Sequence, residues 1–217
     1  KRLTMATYDL EEQEQLDAMK AWWKRWGNWT MLGLAIVLAG AAGWRYWQHQ
    51  STTQALEAGV IYGQLTQSLQ QGNVKRSREL GATLIDKYAR TAYAPRAALL
   101  LAKINIDNND ARSAQAQFEW VIANTKETAL KDLARLRLAA VLLDQKQYDA
   151  ALKQLNTARS DAFGFRFDDM KGDVLFAQGK LDDARAAYQS GFGKMAEDNP
   201  YRTIVELKLN ALGGPVK

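Results

Sequence analysis

Few side chains in this 217-residue sequence could do covalent chemistry. There is one histidine, His49, and no cysteine. That removes His-dependent triads, thiol nucleophiles, a lipid-modified N-terminal cysteine and cysteine-based or multi-histidine zinc sites. The nearest thing to an acid–base pair is Asp168/Asp169 or Asp182/Asp183. Both pairs fall at expected helix starts, where carboxylates cap amides and oppose the macrodipole. No grouping resembles an active site and no cofactor is implied, so the chain reads as a non-enzyme. The net charge of +5 is modest and scattered, without a basic stripe, and does not point to nucleic acid. The chemistry left is non-covalent: apolar anchors with charged residues beside them. The elements that would position these anchors decide what they can bind.

The first such element is an apolar run from residue 27 to 44 with no charged side chain, closed by Lys24 and Arg25 before it and Arg45 after it. Counted out to Trp47, it matches the ~30 Å of a bilayer core at about 1.5 Å per residue, so residues 27–47 are expected to form one transmembrane helix. Trp22, Trp23, Trp26 and Trp29 on one side, and Trp44, Tyr46 and Trp47 on the other, supply interface anchors. Ala35, Ala39 and Gly43 recur every four residues, the small-residue spacing that lets two spans pack.

Lys20, Lys24 and Arg25 outweigh the lone Arg45, which predicts a cytoplasmic N-terminus and a C-terminal domain across the membrane, in a bacterium the periplasm. Ala39-x-Ala41 would suit a cleaved signal peptide, but the segment before the run is too long and too acidic for one. Lys1 to Thr4 precede Met5 and are left out of the fold expectation. In the tail, residues 1–26, Leu16, Met19, Trp23 and Trp26 share one helix face. Asp9, Glu11, Glu12, Glu14 and Asp17 lie toward its start, the pattern of an interfacial helix leading into the span.

Beyond the span the chain shows almost no strand-like alternation and has apolar residues every three to four positions, so the fold class is all-α. Tyr93 to Asn124, Leu130 to Arg159 and Phe165 to Lys194 each read as helix, polar turn, helix. Superposed, they align Ala102, Ala139 and Gly172 on the first helices, and Ala114, Ala151, Ala184 and Phe118, Leu155, Tyr188 on the second. Small residues are needed where paired helices cross, and a large one wedges between pairs. Intervals of 37 and 33 residues bracket the ~34 of a tetratricopeptide repeat. Residues 48–92 are expected to form a linker and a capping hairpin, Gln54 to Gln71 and Val74 to Tyr88, with no good match at the repeat positions. Residues 93–217 hold three tetratricopeptide-like repeats and a C-terminal capping helix, Tyr201 to Leu212, after which Gly213-Gly214-Pro215 marks a frayed tail.

First helices line the concave surface of such an α-solenoid, so Leu99, Leu133, Leu136 and Ala140 are expected there, with Ile106, Leu143 and Phe176 one turn further along. Together they form an apolar partner-binding groove. Arg96, Lys103, Arg166, Asp169 and Asp173 should stand at its rim. The competing expectation is that the C-terminal helix or neighbouring first helices fill it. Phe163, Phe165 and Phe167 enter the last repeat and are expected to pack between repeats.

Tyr8-Asp9-Leu10-Glu11-Glu12-Gln13-Glu14-Gln15, Lys20-Ala21-Trp22-Trp23-Lys24 and Gly43-Trp44-Arg45-Tyr46-Trp47 resemble the YfgM family, ancillary subunits of the bacterial SecYEG translocon. The order of tail, span, motif and helical repeats covers nearly the whole chain. The resemblance implies a single-pass inner-membrane protein with a periplasmic tetratricopeptide-like domain. Its implied partners are the SecYEG translocon, a membrane-anchored periplasmic chaperone of the peptidyl-prolyl isomerase type, and unfolded periplasmic or outer-membrane clients. It carries over no catalytic residues. Two other readings are a stress-response regulator acting through the cytoplasmic tail and a scaffold for envelope assembly using the same groove.

Overall fold

The computed structural model describes residues 3–157 and 159–213, and the side chains of these from residue 14 on. The acidic tail residues Asp9, Glu11 and Glu12 therefore lie outside the described side chains, and Gly214-Pro215 outside the described residues. The described chain is helical without a strand and divides into two units, residues 1–53 and 54–217.

In the first unit every described residue belongs to helix α1, Leu3–Gln70, which continues into the second unit. It is long and apolar enough to cross a membrane, and almost all of its apolar stretch is uncovered. The expected linker from residue 48 is helix instead. Ser51 and Thr52 each donate to Gln48 O at 2.9 Å, and Thr53 donates to His49 O at 3.1 Å. Each hydroxyl is satisfied by its own helix, so three polar residues in a row need no break.

The second unit is built from helix pairs. The end of α1 precedes α2 (Val74–Lys87). Then come α3 (Tyr93–Asp107) with α4 (Ala111–Asn124), α5 (Thr128–Asp144) with α6 (Tyr148–Leu155), and α7 (Gly164–Ala177) with α8 (Leu181–Gly193). α9 (Arg202–Ala211) follows, and a single 3-10 turn, Asp161–Phe163, precedes α7. Pro95 sits in the first turn of α3, where its missing N–H costs no helical bond, and Pro200 precedes α9.

One turn is used four times. Gly72, Asn109, Lys146 and Gly179 all have φ between 57° and 77°. Each donates its N–H to the carbonyl three residues back, at 2.8–3.0 Å (Leu69, Ile106, Leu143, Phe176). The next residue donates to the carbonyl five back and becomes the N-cap of the second helix. Asn73 and Asp110 also cap with their side chains, accepting from Arg76 N at 3.0 Å and Ser113 N at 3.1 Å. The hairpin at residues 54–88 thus shares the geometry of the later units.

Its poor match in sequence has a physical reason. Counted from the turn, Leu65 falls where Ala102, Ala139 and Gly172 sit, and Gly81 falls where Phe118, Leu155 and Tyr188 sit. The small and large residues have changed places. Leu65 is fully buried, and a Cβ on Gly81 would stand 2.7 Å from Leu101 Cδ2, so α3 fills the space a large side chain takes elsewhere. The aligned small residues Ala102, Ala139, Ala114, Ala151 and Ala184 have no exposed surface, and Phe118, Leu155 and Tyr188 are buried.

Candidate functional site

The turns position the site. The residue that accepts each turn hydrogen bond, three before the left-handed residue, is Leu69, Ile106, Leu143 and Phe176 in successive units. Being in equivalent positions on the first helices, these four side chains form a row with one member per helix. Ile106 is 42% and Phe176 51% exposed, while Leu69 and Leu143 are partly buried against the cores beneath. Among these first helices α5 packs directly on α7, which brings Leu143 and Phe176 onto neighbouring helices.

The remaining groove residues lie deeper. Leu136 is only 9% exposed and belongs to the central core with Leu138, Ala139 and Leu142, so it is a core residue and not an anchor. Neighbouring helices cover it, which the spacing on α5 alone does not reveal. Leu99 is partly buried on the same core, and Leu133 and Ala140 are half-buried.

Each expected rim residue has a partner within the fold. Arg96 grips Glu127, at the start of α5, through two bonds of 2.8 and 2.9 Å, and also donates to Ala92 O at 2.6 Å. The Arg96 hydrogen bond holds the Glu127 carboxyl below its usual range. Lys103 pairs with Asp107 on its own helix at 2.8 Å, both exposed. On the last repeat, α9 closes the rim. The Arg166 guanidinium lies 4.2 Å from the Tyr201 ring centre, and Asp173 receives Lys208 at 2.7 and 2.9 Å and the Tyr188 hydroxyl at 2.8 Å. Arg166 and Asp173 are therefore α9 contacts, because the closing helix takes the place of a further first helix there.

The carboxylate pair Asp168/Asp169 does not cap a helix start. Both residues lie in the second turn of α7 and are buried. Asp168 accepts from Arg159 at 2.8 Å, from the Ser190 hydroxyl at 2.9 Å, and from Lys194. Asp169 accepts from the Tyr201 hydroxyl and from Lys208, both at 2.7 Å. Burial raises the Tyr201 pKa, and the bond to Asp169 raises it further. Burial alone would lower that of Lys208, but its bonds to Asp169 and Asp173 outweigh this and raise it. Asp182 and Asp183 do stand in the first turn of α8, Asp182 with Arg185 at 3.3 Å.

The loop aromatics are packed. Phe167 is 1% exposed, Phe163 leans on the central core and Phe165 on Tyr201. Sequence reasoning missed Asp132, fully buried on α5, which accepts the Ser160 N–H at 2.9 Å and its hydroxyl at 2.8 Å and so ties down the loop before α7. Its place four before Leu136 and seven before Ala139, on a buried face, was the available signal.

In the first unit the expected interface aromatics Trp22, Trp23, Trp26, Trp29, Trp44, Tyr46 and Trp47 are all at least half exposed. Ala35, Ala39 and Gly43 are exposed too, and a Cβ on Gly43 would meet nothing within 4 Å.

Residues 20–214 match the family model described as a tetratricopeptide repeat-like domain. A Neisseria gonorrhoeae protein named ancillary SecYEG translocon subunit is 32% identical over 206 residues, 94% of this chain and 98% of that one. Proteins of the same name are 28% identical in Escherichia coli (93% of this chain, 96% of that one) and 27% identical in Haemophilus influenzae (94% and 99%). With the long apolar helix and the helix-pair array agreeing with these matches over nearly the full length, the chain belongs to the ancillary SecYEG translocon subunit family, built on a tetratricopeptide repeat-like domain.

Proposed function

We propose that this protein is a non-enzymatic ancillary subunit of the Sec translocon, anchored in the bacterial inner membrane by residues 27–47. Its short tail lies in the cytoplasm and its helix-pair array in the periplasm. There the array holds a membrane-anchored chaperone or an emerging client and helps pass secreted proteins on. The observation that carries this reading is the set Ile106, Leu143, Phe176: apolar side chains repeated at equivalent positions of successive units. A few apolar anchors usually dominate an interface, each contributing about 1.5–3 kcal/mol when fully buried.

The test is capture of SecYEG, of the chaperone and of an unfolded periplasmic client by full-length protein in proteoliposomes. Ile106→Ser with Phe176→Ser should weaken capture of chaperone or client at least tenfold, with the helical circular dichroism signal unchanged. Leu136→Ser serves as the contrast and should lower the melting midpoint instead. A folded double variant with full capture would eliminate the row.

A further inference from the structure

Basic residues stand directly before the apolar run. Lys20 and Lys24 are one helical turn apart, and with Met19, Trp23 and Gly27 they occupy an arc of about 140° at 100° per residue. The Trp23 indole lies over Gly27, where a Cβ would stand 3.2 Å from its Nε1, and Gly27 is buried in consequence. The indole therefore leans toward the apolar run and forms a ledge with Met19, and Met19, Lys20, Trp23 and Lys24 line one shallow cleft. Both ammonium groups are exposed. Lys20 has a contact to Asp17 of 3.3 Å, with both side chains about three-quarters exposed, a surface pair too weak to hold it from another anion. Arg25 stands about 100° further round the helix from Lys24.

We propose that this cleft is a binding site for the head group of an anionic phospholipid, the phosphate between Lys20 and Lys24 and the glycerol and upper acyl chain against Trp23 and Met19. The charge complementarity is direct, since two exposed cations border an apolar wall at the membrane interface and an anionic lipid presents a negative head above an apolar tail. The site rests on the reading of residues 27–47 as a membrane span.

The experiment uses the full chain in nonionic detergent with equal amounts of phosphatidylglycerol and phosphatidylcholine, counting retained lipids by native mass spectrometry. Wild type should retain phosphatidylglycerol preferentially. At about fivefold per lysine, Lys20→Gln with Lys24→Gln should remove most of that preference, and Arg25→Gln much less. Millimolar inorganic phosphate should not displace the lipid, because it lacks the apolar part. Equal retention of the two lipids, an unchanged double variant, an equal loss in Arg25→Gln or displacement by phosphate would each overturn the site. Carbonate extraction of the wild-type chain from membranes separates the two readings. An extractable chain sinks the span and the site together, whereas an embedded chain with no lipid preference sinks the site alone.

Discussion

A methyl group added at position 172 would collide with the edge of the Tyr188 ring. The ring cannot swing aside freely, because its hydroxyl is held by Asp173 at 2.8 Å. Gly172→Ala should therefore cost about 1–3 kcal/mol in thermal or denaturant unfolding, despite alanine's better helix propensity. Combining it with Tyr188→Leu should recover part of the loss. A midpoint at or above wild type for Gly172→Ala would refute the crossing. The same region makes a pH prediction. Tyr188, Tyr201 and Lys208 all have raised pKa values. For Tyr188 burial is the main cause, with the hydrogen bond to Asp173 adding to it. Above pH ~10 the unfolded chain loses these protons while the folded chain keeps them. Their stabilisation is thus complete below that pH and falls away as pH rises further. Urea midpoints between pH 8 and 11 should show a decline beginning near pH 10. Lys208→Met should flatten that decline and destabilise by about 2–3 kcal/mol at neutral pH, less than the ~3–5 of a fully buried broken pair because Lys208 keeps some exposure.

The repeated turn is the best place to test an element. Lys146 adopts φ 60° where its counterpart Gly179 adopts φ 77°. A left-handed conformation costs a non-glycine residue about 1–2 kcal/mol. Lys146→Gly should accordingly raise stability by about 0.5–1 kcal/mol, and Gly179→Ala should lower it by about 1 kcal/mol. A melting series covering both, with shifts of the same sign, would show that the turns are not equivalent. The helices from α3 on, the later turns and the aligned small residues were legible in the sequence because each rests on a local rule of spacing or turn chemistry, whereas the unbroken passage of α1 through residues 48–53 was not. The first hairpin was legible as a hairpin but not as a counterpart of the later pairs, since Leu65 and Gly81 obey the packing rule with the sizes exchanged. Leu136 and Asp173 follow the competing expectation of a filled surface, the one packed in the central core and the other engaged by α9, and neither cover is encoded on the helix that carries the residue.

At the scale of the whole molecule, the proposed topology, with the tail in the cytoplasm, rests on Lys20, Lys24 and Arg25 outweighing Arg45. Protease added to spheroplasts should then digest residues beyond the span and leave the tail intact, as read with an antibody to each end. Protection of the array with loss of the tail would reverse the topology. Within the second unit, the exchange at Leu65 and Gly81 bears on how such a chain can change. A large residue at position 81, as at the matching positions of the later pairs, would strike Leu101 where α2 now lies close to α3. Such a chain can therefore drift at positions 65 and 81 only in step, and the helix pair that follows the apolar stretch changes as a couple and not residue by residue.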